Sequence, residues 1–487
     1  MKKILNLALL FTLIFALSSC GTSTPEPKED FLDIYYLNDF HGALLSDSDQ
    51  IGITYIANYI KTQKIENPDN VLFVVGGDIL QGSALSNYYE GLSTITLFNE
   101  IGLDAFTIGN HEFDWGIETV LKYADGDQSN GEADYPFLGA NIFYKGTTTS
   151  PEGIDPYTIV EKGNHKVGII GTMGYGLEYS IATSKIEDYE FADPMVWIEH
   201  YAEYLRTVEN CDVVIVVAHD SGNINNEAAL LTGDKKIDAV FNGHSHSDFI
   251  NTNSGIPFVQ SGSNGELVGH VKMAFSDNGE ITYIAENLQR YDSQLFATED
   301  EEVKSILEAY ILETDSIFNT PILNSNSYFS QSELSDWIAE LMRVATNADI
   351  GFQNGGGTRT SIGDGDVINL GLLYQIWPFD NVVKTVQLTG AQINSLKRSL
   401  EYSTNIDEFD ADTLYTVATN DYVFDKPTNP FLSGDNPVNT GILLRDLAND
   451  EMLLQKELYS TFDVDNEILT SYISYQSTPQ NQKEENN

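Results

Sequence analysis

Gly109-Asn110-His111-Glu112-Phe113-Asp114, directly after the apolar run Ala105-Phe106-Thr107-Ile108, is the stretch on which the reading of this 487-residue chain turns. A short apolar run that breaks off in glycine and metal-capable side chains predicts a buried strand handing its loop to a sheet edge. The same pattern occurs four more times. Asn38-Asp39-Phe40-His41-Gly42 follows Ile34-Tyr35-Tyr36-Leu37, and Gly76-Gly77-Asp78 follows the run Val71 to Val75. Ala218-His219-Asp220 closes the run Val213 to Val217, and Asn242-Gly243-His244-Ser245-His246 closes Ala239-Val240-Phe241. Taken singly, each segment reads equally well as a turn, a helix cap or a hydrogen-bonded loop. Five of the eight histidines fall inside them, however: His41, His111, His219, His244 and His246. Loops past the carboxyl ends of parallel strands are where open α/β sheets bind ligands. One parallel sheet is therefore expected to gather Asp39, His41, Asp78, Asn110, His219, His244 and His246 at one edge. Carboxylate, amide oxygen and imidazole in that mixture suit two divalent cations about 3.5–4 Å apart. His165, His200 and His270 lie outside the pattern and read as structural or surface residues.

Order, spacing and flanking glycines of the five segments resemble the calcineurin-like metallophosphoesterases. A second domain bearing Asn354-Gly355-Gly356-Gly357-Thr358-Arg359 narrows the resemblance to the 5′-nucleotidase branch. The resemblance implies an α/β fold: an N-terminal metallophosphoesterase β-sandwich flanked by helices, a linker helix, and a smaller α/β C-terminal substrate-binding domain. It implies that Asp78 bridges two metals, with Asp39, His41 and His246 completing one site and Asn110, His219 and His244 the other. Zinc, manganese, iron and cobalt all suit these ligands. His111 and Asp114 resemble the family's catalytic dyad, and Asn354 and Arg359 its base and phosphate or ribose contacts. Phe379, in Trp377-Pro378-Phe379-Asp380-Asn381, resembles the phenylalanine that stacks on one face of the nucleobase.

Two departures from the family pattern concern the substrate pocket. Between Tyr291 and Leu341 the chain has no arginine, although relatives commonly carry one early in the second domain. The second stacking aromatic normally follows an Asn-Asp-aromatic segment. Here Asn420-Asp421-Tyr422 leads into Phe424 to Phe431, and Phe431 is the expected substitute, with Phe424 and Tyr422 behind it.

Domain boundaries follow composition and periodicity. Residues 31–292 alternate strand and helix patterns, with helices expected at Gly52 to Gln63 and Pro194 to Val208 and an antiparallel ending over Pro257 to Leu288. Residues 298–318 carry Val303, Ile306, Leu307, Tyr310 and Ile311 at helical spacing and read as the linker, or as a plain surface helix. Residues 321–476 form the second domain, and 477–487 read as a disordered acidic tail. At the other end, Lys2-Lys3, an apolar stretch too short to span a bilayer comfortably, and Leu17-Ser18-Ser19-Cys20 resemble a bacterial lipoprotein signal over residues 1–19. Cys20 would be lipidated, with residues 20–30 as a tether, which places the protein in the bacterial envelope, on the extracytoplasmic face. Cys211, the remaining cysteine, reads as a small buried residue.

A formal charge of −48, from 25 basic and 73 acidic side chains, disfavours nucleic-acid polymers and anionic lipid surfaces. It also repels nucleotides at long range, so attraction must be local to the cations and the pocket. The leading expectation is hydrolysis of 5′-nucleotides to nucleoside and phosphate. Cleavage of 2′,3′-cyclic nucleotides or of nucleotide sugars uses the same centre, and a surface-binding lipoprotein without activity is the alternative of another class.

Overall fold

The computed structural model describes residues 30–289 and 294–470. The lipoprotein signal, Cys20 and the acidic tail lie outside the described residues. No helix among the described residues is long and apolar enough to cross a membrane.

The first region is built on two sheets, the β-sandwich that the resemblance implies, and the five motif segments are shared between them. Strands β1 (Asp30–Leu37), β2 (Val71–Gly76) and β3 (Ala105–Thr107) run parallel, and short strands at Phe137–Leu138 and Ile154–Asp155 extend them. The second sheet centres on β4 (His165–Met173), β5 (Val213–His219) and β6 (Ala239–Asn242), parallel to one another, with β7 (Phe258–Ser261) parallel beside β6. Strands β8 (Leu267–Phe275) and β9 (Ile281–Gln289) close the first sheet antiparallel to β1, in line with the expected antiparallel ending. The central strands are apolar at successive positions because both faces are covered. In β2, Leu72 and Val74 pack between the sheets with Val217 and Phe241, whereas Phe73 and Val75 face the helix layer.

Helices form where the apolar spacing predicts them. Helix α1 (Ile53–Glu66) buries Ile53, Ile56, Ala57 and Ile60 on one face. After α2 (Leu92–Ile101), helix α3 (Pro194–Thr207) begins on Pro194, with the Asp193 side chain accepting from the Met195 N–H. Proline at the first helical turn and an acceptor just before it satisfy two requirements of a helix start. Helix α4 (Glu301–Phe318) starts three residues later than the periodicity suggested, at the Asp300 cap. Its Val303, Leu307 and Phe318 are buried in the first region's core, and it packs on α1 and α2. This is a half-buried connector, not a plain surface helix.

The second domain opens with α5 (Gln331–Ala345), set by a capping box between Ser330 and Glu333. Its five-stranded sheet contains β10 (Ile350–Gln353), β11 (Val382–Thr389), β12 (Glu401–Thr404), β13 (Leu414–Asn420) and β14 (Asp435–Leu443), in the order β12-β10-β13-β11-β14. Helix α6 (Leu370–Ile376) touches α4, and the second domain thereby meets the first at its ligand-bearing edge.

Candidate active site

All five motif segments leave their strands on the same edge, three from the first sheet and two from the second. The loops are tied together by backbone bonds: Asp39 N–H donates to Gly77 O at 3.0 Å, His41 N–H to Asp78 O at 2.9 Å, and Gly42 N–H to Ile79 O at 2.8 Å. Backbone conformation there is unusual. Asp39, His41, Asp78, His244 and His246 all have φ between 48° and 70°, in the left-handed region that side chains other than glycine seldom adopt. Such conformations cost energy and persist where the surroundings over-determine them, as at functional sites. Gly109 is required for a different reason: a Cβ there would collide with Asp78 Oδ1.

The seven expected ligand residues converge. Oxygen and nitrogen atoms of Asp39, His41 and His246 lie within 4.8 Å of one another, as do those of Asp78, His219 and His244. Asn110 joins the second group, its Oδ1 lying 3.1 Å from His219 Nε2 and 2.9 Å from His244 Nδ1. Hydrogen-bond partners settle which nitrogens are open. His41 Nδ1 faces the Gln81 carbonyl at 2.8 Å and must carry its proton, which leaves Nε2 as a lone pair 3.2 Å from His246 Nε2. His219 Nδ1 likewise donates to Gly76 O at 2.8 Å, leaving Nε2 against Asn110 Oδ1 and Asp78 Oδ2, both at 3.1 Å. Oxygen and nitrogen donors that converge in this way are a cation's environment.

The electrostatics agree. Burial opposes charge on His219, yet the Asp78 carboxylate raises its imidazole to about 10. Burial alone would raise Asp78, but the His219 and His111 rings hold it well below the usual carboxylate range. A site that drives a buried imidazole to carry charge is one that favours cations. His41, by contrast, is pushed down to about 4 by burial and by His111, which keeps its ring neutral and able to ligate.

His111 Nδ1 lies 2.7 Å from Asp114 Oδ2, and its Nε2 is 4.0 Å from Asp78 Oδ2. Burial disfavours the imidazolium, but Asp114 and then Asp78 outweigh it and raise His111 to about 9. Glu112, between the dyad and the ligands, has a role that sequence reading missed. Its fully buried carboxylate accepts the N–H groups of Asp78 at 2.9 Å, Gly109 at 2.8 Å and Ile79 at 3.0 Å. It thus clamps the two loops that carry Asp78 and Asn110. The signal for it is its place inside the Asn-His-Glu segment, next to the dyad histidine and a ligand.

A cavity of about 430 Å³ opens on Asp78, Asn110, His111, His244 and His246 and runs between the domains to Asn354, Arg359, Phe379 and Tyr422. Phe379 lies nearly parallel to His111, ring centres 5.7 Å apart, and the Arg359 guanidinium carbon is 5.9 Å from the phenylalanine ring. The adjoining Pro378 carbonyl accepts from Asn87 Nδ2 at 2.8 Å and Gln81 Nε2 at 3.2 Å, so the first region braces the loop of the second. Asn354 Oδ1 accepts from Asn420 Nδ2 at 3.0 Å, which holds the amide at the cavity edge.

Phe431 is a correction. It is fully buried, stacked on Phe424 with centres 5.9 Å apart, and belongs to the second domain's core rather than the cavity wall. The aromatic on the wall is Tyr422, whose ring tolerates a wet edge because of its hydroxyl. Lys185, in the loop before α3, also lines the cavity and was not anticipated. Neither Lys185 nor Arg359 makes an ion pair among the described residues, despite the excess of carboxylates. The three remaining histidines carry no part of the site. His165 pairs with Asp30, His270 with Asp33 and Glu286, and His200 packs beside Trp197. Cys211 is buried, as expected.

Comparison with known proteins agrees with this architecture. Residues 32–248 match the calcineurin-like phosphoesterase family model, and residues 312–401 match the 5′-nucleotidase C-terminal domain. Cell wall protein Lmo0130 of Listeria monocytogenes is 26% identical over 80% of this chain and 59% of its own length. The trifunctional nucleotide phosphoesterase protein YfkN of Bacillus subtilis is 25% identical over 86% of this chain, which spans only 31% of that protein. A 5′-nucleotidase of Vibrio parahaemolyticus is 25% identical over 80% of this chain and 79% of its own. In three dimensions, the 5′-nucleotidase precursor from Thermus thermophilus superposes with a TM-score of 0.73 at 22% identity, covering 92% of this chain and all of the other. With two matching domain models in this order and the ligand-bearing edge between them, the chain belongs to the 5′-nucleotidase family, calcineurin-like phosphoesterases that carry a 5′-nucleotidase C-terminal domain.

Proposed function

We propose that the chain is a metal-dependent phosphomonoester hydrolase acting on 5′-nucleotides outside the cytoplasmic membrane, releasing nucleoside and phosphate. One observation carries this reading: two groups of cation-ready donors sit beside the His111–Asp114 pair at the mouth of a cavity walled by Phe379 and Tyr422. Two divalent cations held there would polarise phosphoryl oxygens and activate a water molecule. Asp39, His41 and His246 would hold one, Asn110, His219 and His244 the other, and Asp78 would bridge them.

The chain's own residues do the rest. Phe379 and Tyr422 offer ring faces to a nucleobase, and Asn354 offers an amide at the cavity edge. Arg359 and Lys185 supply the local positive charge that a strongly acidic protein needs in order to hold an anion. His111, oriented through Nδ1 by Asp114, presents Nε2 to the leaving oxygen and hands it a proton as the phosphorus–oxygen bond breaks.

The 5′-nucleotidase name of the Vibrio relative supports this substrate class, and the cell-wall name of the Listeria relative supports action in the envelope. Anchoring through a lipidated Cys20 belongs to the same proposal. The test is phosphate release from adenosine monophosphate, set against 2′,3′-cyclic and diphosphate-linked nucleotides, with zinc, manganese, iron or cobalt added and bound metal determined on the same sample. Efficient release from the monophosphate supports the reading. Metal uptake with exclusive cleavage of the cyclic or diphosphate-linked substrates would replace it with a diesterase, and protein that takes up no metal and cleaves nothing would leave a binding lipoprotein.

A further inference from the structure

A buried arginine stands behind the segment that carries Phe379. Arg445 lies in the first turn of α7 (Leu444–Leu458) and is 3% exposed. Both features count against it, because burial strips a cation of water and the positive end of a helix repels one. What the guanidinium touches offsets that cost. Its Nη1 donates to Trp377 O at 3.0 Å and to Pro378 O at 3.3 Å, and its Nη2 donates to the Asp380 carboxylate. The guanidinium carbon lies 3.6 Å from the centre of the Tyr374 ring. One residue earlier, the Leu444 N–H donates to Asn381 O at 2.8 Å. The start of α7 therefore grips Trp377-Pro378-Phe379-Asp380-Asn381 on either side of Phe379.

Neighbouring parts of the cavity wall have anchors of their own. The Trp377 indole N–H donates to Thr358 Oγ1 at 3.2 Å, and the Arg359 N–H donates to Ile376 O at 2.8 Å, so the loop that carries Arg359 is tied without Arg445. The Phe379 ring, projecting beside His111 and Arg359, depends instead on the shape of the backbone around it. Arg445 fixes that shape from behind, at the same Pro378 carbonyl that Asn87 and Gln81 of the first region reach from the front. Only a planar fork of N–H donors can serve successive carbonyls and a carboxylate at once, which an ammonium group cannot do.

We propose that Arg445 is a positioning residue for nucleotide binding, which holds residues 377–381 in the conformation that turns the Phe379 ring to the nucleobase. This rests on the phosphoesterase reading above, in which Phe379 stacks on the base, and deepens it. Arg445 does not line the cavity, so its effect on binding passes through that ring.

The test is a double-mutant cycle on metal-loaded full-length protein, read as hydrolysis of a nucleoside monophosphate. R445K keeps the charge but loses the fork, and should raise KM about 10-fold with kcat within about 2-fold. In an F379A background the same change should raise KM by less than about 2-fold, because the ring it positions is gone. An arginine that only stabilised the fold would give equal losses in both backgrounds. That result, an unchanged KM in R445K, or a loss confined to kcat would overturn the inference and leave the parent reading standing. Should R445K fail to fold, R445Q, which buries no charge and leaves the half-exposed Asp380 to solvent, carries the same cycle with the same expected outcomes. A wild-type KM in F379A, or no phosphate release from any monophosphate, would instead strike the parent reading and this inference with it.

Discussion

The ligand-bearing edge of the first region and the substrate wall of the second are built in opposite ways. Asp39, Asp78, Asn110 and His219 are buried to 1% exposure or less, and their loops are bonded to one another and clamped by Glu112. Arg359 is exposed, and Phe379, Tyr422 and Lys185 are half-buried, on a loop or on single helical turns. Their positions are held largely by contacts across the domain junction: Pro378 to Asn87 and Gln81, and Asp425 to Thr183 and Ser184. Strand ends locked in costly backbone conformations can hold cations within tenths of an ångström, which is the precision that metal chemistry requires. Loops on a junction cannot match that, but they can change with the substrate. On the proposed function, chemistry belongs to the first face and substrate selection to the second.

Substitutions should therefore separate into two kinds. The largest effect is expected at His111, where H111A should lower turnover about 10²–10⁴-fold with bound metal unchanged, as read by steady-state kinetics and elemental analysis together. Turnover near wild type would remove its role as proton donor. E112Q, which touches no substrate, should act through the ligands it clamps, weakening metal affinity about 10–100-fold with the same plateau activity at saturating metal. On the other face, F379A should raise KM for a nucleotide about 10-fold with little change in kcat, the loss of one stacking contact worth about 1–3 kcal/mol. If kcat fell instead, the division between chemistry and selection would not hold.

The smallest effect concerns stability and pH. Burial raises the Asp421 carboxyl to about 6 from an ordinary 3.8, so between those values the folded chain holds a proton that the unfolded chain has lost. Stability from this group consequently falls as pH rises through that window and is fully lost above it. D421N should then stabilise the protein by about 2 kcal/mol near pH 7.5 and by less near pH 5, as measured by thermal or denaturant unfolding.

What was legible in the sequence follows the same division. The five strand-to-loop segments could be read because each is local, an apolar run followed by its donors, and the α/β class and the grouping of seven ligand residues came with them. The split into two sheets came only with the family resemblance, because strands covered on both faces look alike whichever sheet they join. Phe431 was misplaced for a related reason. Three aromatics within ten residues offer equal ring area, and only the packed chain shows Phe424 and Phe431 stacked inward while Tyr422 reaches the cavity. Lys185 ends a single 3₁₀ turn, Thr183–Lys185, too short to carry a periodic signal, and its position depends on where that turn meets Asp425. Glu112 lies inside the Asn-His-Glu segment, but three neighbouring N–H groups on two different loops reveal its function only when those loops are seen together.

The most direct test of the account is anomalous X-ray diffraction from crystals of the metal-loaded protein. The account predicts two peaks about 3.5–4 Å apart, one among Asp39, His41 and His246 and one among Asn110, His219 and His244, with Asp78 between them. No peak at this edge, or a single ion bound away from Asp78, would contradict it.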